Sequence, residues 1–152
     1  MELSIIKSIL NYQFGNKVGD KIIEKYSNVI KIEISKNTGR IRRIYINNIL
    51  LGTIEPTTGF VILTKFGGEI IKEFLEYPKY RIVISNEAKE FVKKGKSIFN
   101  KFVIDVDLNI LPRDIVLIVD KEDNLLGIGE AVLSGLEIKQ FNNGIAAKIK
   151  NV

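Results

Sequence analysis

Two short basic stretches carry most of the chemistry available to this sequence. Residues 93–101 hold Lys93, Lys94, Lys96 and Lys101 with no acid, and residues 36–43 hold Lys36, Arg40, Arg42 and Arg43, also with no acid. Together they contain 8 of the 23 basic residues, which leaves 15 basic against 18 acidic elsewhere, although the whole 152-residue chain is +5. The excess charge is therefore local, as for a protein with one basic face and an otherwise ordinary surface. Solvated lysines at a helix C-terminus would give the same count, because cations suit that end of the helix dipole. The chain has no histidine and no cysteine. That removes the usual general base, the thiolate nucleophile and the common zinc-site ligands.

Lys94-Gly95-Lys96-Ser97 is the first candidate site. A glycine at a helix exit lets a sugar-phosphate strand approach, flanking lysines neutralise phosphates, and a serine hydroxyl donates to an oxygen. An ordinary glycine cap with surface lysines is the competing reading. The segment is not a phosphate-binding P-loop, since the GxxxxGK[ST] spacing is absent and a helix precedes it where it should follow. Phe99 has two readings, stacking on a base or filling a small core. The second candidate is the run from Ser35 to Arg43. Strand alternation puts Arg40 and Arg42 on one face, about 7 Å apart, a match for successive phosphates. Arg43 breaks the alternation and is expected at an edge or bulge. Asp105 and Asp107 share a strand face but lack a third ligand, so they read as structural. Arg113-Asp114 follows Pro112 and reads as a turn.

These residues need elements to position them. Leu3, Ile6, Ile9 and Leu10 have helical spacing, as do Val18, Ile22, Ile23 and Tyr26. Strands follow at 29–34, 41–46, 49–54 and 60–63, with turns at Asn47-Asn48 and Pro56-Thr57-Thr58-Gly59. Thr64 is expected to cap a helix through Leu75. Tyr77-Pro78 marks a boundary. Beyond it come a strand at 80–84, a helix capped by Ser85 or Asn86 and ended by Gly95, and short strands around 98–104, 115–119, 125–132 and 145–149. A brief helix begins at Ser134. No internal repeat is evident. Many strands with two short helices predict a small β-barrel. No apolar run reaches the roughly 20 residues of a membrane span. Glu2 and Lys7 interrupt the N-terminal apolar stretch, so residues 1–15 do not read as a signal peptide.

The second half resembles the PUA domain, an RNA-binding module. The matching blocks are Lys94 to Phe99, Val103 to Asp107, Pro112-Arg113-Asp114, Gly127 to Ala131 with Ser134, and Asn143 to Lys148. The first block is most similar to the archaeal tRNA-guanine transglycosylase type. The first half resembles the module preceding PUA in that family, through Asn11 to Gly15, Ser35 to Arg42, and Thr64 with Gly67-Gly68. Asn11 stands where many relatives carry an acid. The resemblance implies an α+β fold, with a small α+β module over 1–77 and a PUA domain over 78–152, and no catalytic barrel or zinc. It implies a non-catalytic cytoplasmic protein that binds RNA, foremost tRNA at its acceptor stem and 3′ end, with no cofactor, metal or membrane. The expected RNA-binding residues are Lys93, Lys94, Gly95, Lys96, Ser97, Phe99, Lys101, Lys148 and Lys150, with Arg40, Arg42 and Arg43 from the first half. Lys148 and Lys150 join the set because the last PUA strand lies beside the 94–97 segment. The alternatives are an accessory or split subunit of a transglycosylase-type enzyme, with a catalytic subunit as partner, and a translation-associated factor.

Overall fold

The computed structural model describes residues 2–152 and divides into two units, the first ending at Phe74 and the second beginning at Leu75. The first unit opens with α1 (Glu2–Phe14) and α2 (Val18–Tyr26). Ile6, Leu10 and Phe14 recur every fourth residue and are buried in α1, and α2 buries Val18 and Ile22 on the same principle. Each such side chain contributes about 2 kcal/mol on burial. The strands β1 (Ile30–Ile34), β2 (Ile41–Ile46), β3 (Ile49–Ile54) and β4 (Val61–Leu63) pair antiparallel in chain order, and α3 (Lys65–Lys72) follows. Ile44, Ile46, Leu51, Val61 and Leu63 form the core side of the sheet. Gln13 ties α1 to the edge strand, donating from Nε2 to the Val61 carbonyl at 2.9 Å and accepting the Val61 N–H at 2.7 Å. Its amide nitrogen and its amide oxygen are thereby each engaged inside the core, and the open edge of β4 is partly closed.

Thr64 caps α3 as expected: its hydroxyl accepts the Gly67 N–H at 3.0 Å and donates to the Leu50 carbonyl at 2.6 Å. Gly67 is required there by proximity, because a Cβ would lie 1.9 Å from the Leu51 carbonyl oxygen. A repeat that the sequence did not reveal appears in the hairpins. The loops Ser35–Arg40 and Glu55–Phe60 have one backbone. In each, the first residue's N–H donates to the sixth carbonyl (2.8 and 2.9 Å), and its carbonyl accepts from the glycine (2.9 and 2.8 Å). In each, the threonine hydroxyl accepts from the sixth residue's N–H (3.2 and 3.1 Å). Gly39 and Gly59 occupy the left-handed region at φ 71° and 76°, which is what the shared Thr-Gly pair provides.

The second unit contains β5 (Arg81–Ile84), α4 (Lys89–Lys93), β6 (Ile98–Phe99), β7 (Val103–Val106), β8 (Ile115–Val119), β9 (Leu125–Ala131), α5 (Gly135–Gln140) and β10 (Ile145–Asn151). Its six strands run in the order β6-β10-β9-β8-β5-β7, with β5 and β8 parallel and the other pairs antiparallel. Register shifts in four of these ladders bend the sheet into a barrel-like wrap around Ile82, Ile84, Val92, Ile98, Val116, Ile118 and Ala146. Arg81 is a buried cation that the sequence reading left unremarked. Its Nε and Nη2 each donate to Asp123 at 3.1 Å, and Nη1 donates to the carbonyls of Leu75 (2.8 Å) and Lys79 (3.0 Å), anchoring the entry segment. Asp107 also proves structural, accepting the N–H groups of Tyr80 and Asn109.

The helix after β5 departs from expectation. A 3₁₀ turn (Asn86–Ala88) precedes α4, and the Ser85 hydroxyl makes no capping bond and is buried without a partner. The Ala88 N–H bonds instead to the Ser85 backbone carbonyl at 3.1 Å, so the tight turn takes up the donor a cap would have used. Ser134 does cap α5, in a reciprocal capping box with Glu137.

Gly67→Ala is expected to destabilise the first unit by about 1–3 kcal/mol, because a methyl would meet backbone that cannot move aside. Arg81→Ala is expected to cost the second unit roughly 3 kcal/mol. Urea unfolding followed by far-UV circular dichroism measures both, and an unchanged midpoint would contradict either assignment.

Candidate nucleic-acid interface

The 93–101 stretch is built by a helix end. After Lys93, the Gly95 N–H bonds to the Val92 carbonyl (2.9 Å) and the Lys96 N–H bonds to the Phe91 carbonyl (2.8 Å). This six-to-one and five-to-two pattern, with Gly95 at φ 70°, is a Schellman ending. The glycine-cap reading is thus correct in geometry, and the cap is also what turns Lys94 and Lys96 outward. A Cβ at Gly95 would meet nothing within 4 Å, so the glycine is required by its dihedral angle and faces open space.

Past Ser97 the chain enters β6, whose two residues pair with β10: Ile98 with Ala147 and Phe99 with Ile145. Ile98 points into the core, and Phe99 stays 44% exposed, so it does not fill the barrel. Lys148 follows Ala147, placing it across the end of this ladder from Lys96 and Ser97. Asn100 is buried and locks the adjoining turn. Its N–H donates to the Gly144 carbonyl (2.9 Å) and its Nδ2 to the Asn143 carbonyl (3.0 Å). A shallow groove of about 180 Å³ results, lined by Phe99, Lys101, Asn142, Asn143 and Gly144. Sequence reasoning named Phe99 and Lys101 but took Asn142 to Gly144 only as a turn and missed Asn100. No local signal marked Asn100, because its burial and its bond to the Asn143 carbonyl come from a turn 43 residues away.

The cations differ in how free they are. Lys93 is within 3.4 Å of Glu90, and Lys150 within 3.7 Å of Glu130. Glu130 also lies directly across the ladder from Lys148. Lys94, Lys96 and Lys148 have no carboxylate within 4 Å among the described residues, and all three are exposed. Lys101 is exposed too, its Nζ 5.1 Å from the Phe102 ring centroid. One short arc of the second unit therefore presents Lys94, Lys96, Ser97, Phe99, Lys101 and Lys148, with Lys93 and Lys150 committed to acids at its margins.

Arg40, Arg42 and Arg43 lie in the first unit. The bulge falls one residue earlier than the sequence reading placed it. Glu33 pairs with Arg43 and Ile34 with Ile41, so Arg42 is the extra, exposed residue of β2. Arg43 sits inside the ladder, between Glu33 and Thr53, and forms an ion pair with Glu33. The Glu33–Arg43 ion pair accompanies this register, and Arg42 is left without a partner across β1. Arg40 and Arg42 have no carboxylate partner among the described residues.

Comparison with known proteins fits this geometry. Residues 4–78 match the patch-forming domain C2 of tRNA-guanine transglycosylase, and residues 80–152 match the PUA domain. The tRNA-guanine(15) transglycosylase of Methanosphaera stadtmanae is 43% identical over 145 residues, and that of Methanocaldococcus jannaschii is 36% identical over 146. Each alignment covers 95% of this chain and 22% of the relative, so the chain spans about a fifth of their length. A hypothetical protein from Pyrococcus horikoshii OT3 has the same fold over 99% of this chain and 89% of its own, at 20% identity and a TM-score of 0.75. A conserved PUA domain protein from Thermoplasma acidophilum covers 90% of this chain and 89% of its own, at 14% identity and a TM-score of 0.56. Residues 4–78 therefore belong with the patch-forming C2 domains of tRNA-guanine transglycosylase and residues 80–152 with the PUA domains, the pair that forms the C-terminal region of archaeal tRNA-guanine(15) transglycosylases.

Proposed function

We propose that this chain is a non-catalytic RNA-binding protein that holds tRNA by its acceptor stem and 3′ end through the basic face of the PUA domain. The observation that carries the reading is the arc of Lys94, Lys96 and Lys148, exposed and without carboxylate partners, beside the exposed ring of Phe99. Lysines not already paired gain the most from a phosphate, and each contact releases a counterion. An A-form stem offers a deep narrow major groove, so its recognition rests on shape and backbone, with little reading of base edges. An unpaired 3′ end, in contrast, gives an aromatic ring a base to stack on. A sequence with neither histidine nor cysteine suits gripping better than catalysis. No helix among the described residues is long and apolar enough to cross a membrane, and a cytoplasmic place beside tRNA belongs to the same proposal.

A second reading rests on the relatives. Because residues 4–78 and 80–152 match the C2 and PUA domains of the C-terminal region of tRNA-guanine(15) transglycosylases, the chain also fits an accessory subunit that delivers tRNA to a catalytic subunit. Affinity purification from native extract separates the two: recovery of tRNA together with a transglycosylase-type chain favours the subunit, and tRNA alone favours the independent binder. Co-purifying ribosomal RNA would instead mark a translation-associated factor.

The direct test is a fluorescence titration with tRNA at several salt concentrations. Affinity is expected to fall steeply with salt, and Lys94→Glu with Lys96→Glu to weaken binding roughly tenfold or more. Unchanged affinity in that double variant would falsify the proposal. Phe99→Ala is expected to weaken binding of intact tRNA while leaving tRNA trimmed of its single-stranded 3′ end unaffected, and equal losses for both would remove Phe99 from the base-stacking role.

A further inference from the structure

A groove in the first unit lies between the tips of the two matching hairpin loops. In a sheet ordered β1-β2-β3-β4 with antiparallel pairing, the β1–β2 and β3–β4 loops must emerge at the same end. The space between them is a groove of about 550 Å³, within the range of sites that hold small molecules. Its two walls have one backbone but different side chains. The first loop and the strand after it bring Thr38, Arg40 and Arg42, and the second brings Glu55, Pro56 and Gly59. Ile41 and Ile54 complete an apolar lining.

Three features narrow what fits. Arg40 and Arg42 have no carboxylate partner among the described residues, and the bulge at Arg42 frees its side chain from the ladder. Glu55, across the groove, accepts the Thr57 N–H at 2.8 Å, and that bond holds its carboxyl below the ordinary range. It therefore stays anionic and leaves the arginine wall as the side for an anion. Finally, each loop is closed by its own three hydrogen bonds, so the walls are set before any ligand arrives and little ordering entropy is lost. An anion-binding wall facing apolar lining, at this size, suits a flat heterocycle with a phosphate attached. Guanidinium planes can both stack on a base and pair with phosphate.

We infer that the groove between the twin Thr-Gly hairpins takes one unstacked nucleotide of a single-stranded RNA segment, with its phosphate at Arg40 and Arg42 and its base on Ile41, Ile54 and Pro56. This rests on the RNA-binding reading but concerns a separate contact, in the other unit from the lysine arc. It gives the arginines a different task from the lysines: the arc follows a backbone, and the groove holds an unpaired residue.

Amide resonances of the full-length 15N-labelled chain test it. Gly39 and Gly59 report on the groove, and Gly95 and Gly144 on the PUA arc. A mixed-sequence single-stranded RNA hexamer is expected to shift Gly39 and Gly59. Arg40→Glu with Arg42→Glu is expected to reduce those shifts roughly tenfold at equal RNA concentration, with the Gly95 shift retained. The unliganded spectrum of the double variant shows whether the loops keep their fold. A more conservative Arg40→Gln with Arg42→Gln pair should give a smaller loss in the same direction. If Gly95 and Gly144 move while Gly39 and Gly59 stay still, this inference fails and the RNA-binding reading stands. If none of the four moves with hexamer, duplex or tRNA, both fail. A blunt RNA duplex shifting Gly39 and Gly59 as much as the hexamer would overturn the claim of an unstacked nucleotide. Adenosine monophosphate matching the hexamer's affinity would assign the groove to free mononucleotides.

Discussion

Two residues of ladder decide where the PUA domain can carry charge. Ile98 and Phe99 against Ala147 and Ile145 are all that joins β6 to β10, and this pairing brings the end of α4 to the last strand of the chain. Ile98 is fully buried and fixes the pair to the core, while alternation leaves its neighbour Phe99 outside. Because β6 is so short, the chain leaves the sheet at Ser97 and the lysines before it are free of the ladder. Without this contact Lys94, Lys96 and Lys148 would be three unrelated surface charges.

Electrostatic freedom then sorts residues that composition treats alike. Lys93 and Lys150 lie as close in sequence to the arc as its members do, yet each has an acid within 4 Å. Arg43 lies one residue from Arg42 and is held by Glu33 in the ladder. Exposed pairs of this kind contribute little to stability, on the order of 0–1 kcal/mol, but they lower what the cation can offer an incoming phosphate. The cations without a carboxylate partner are thus fewer than the basic stretches suggest: among the described residues they include Lys94, Lys96 and Lys148 in one unit and Arg40 and Arg42 in the other.

Much of the fold was legible because its signals are local. Four-residue spacing located α1 and α2, the Thr64 and Ser134 caps located α3 and α5, and the left-handed glycine at 95 located the end of α4. The misses have equally specific causes. Ser85 has the residue type of a cap, but a 3₁₀ turn satisfied the donor through backbone. Arg43 broke a simple alternation, yet its pairing with Glu33 moved the bulge to Arg42. The twin loops escaped notice because only Thr and Gly are shared among their six positions, and what repeats is a hydrogen-bond pattern. Arg81 and Asn100 looked ordinary in sequence, since burial is a property of what packs around a residue.

The amino-acid sequence by itself determined the elements, the two-module order, the family resemblance and the absence of histidine and cysteine chemistry, because each depends on residue type and short-range spacing. Only the tertiary structure decided which cations are unpaired, that Phe99 faces outward, that Lys148 joins the 94–97 loop, and that two hairpin tips enclose a groove. Apart from the Lys93–Glu90 pair within one helix, those facts come from contacts set by strand order and register, from Glu33 with Arg43 in one hairpin to Ile98 with Ala147 across the second unit, and no local pattern encodes the partner on the other side of a ladder.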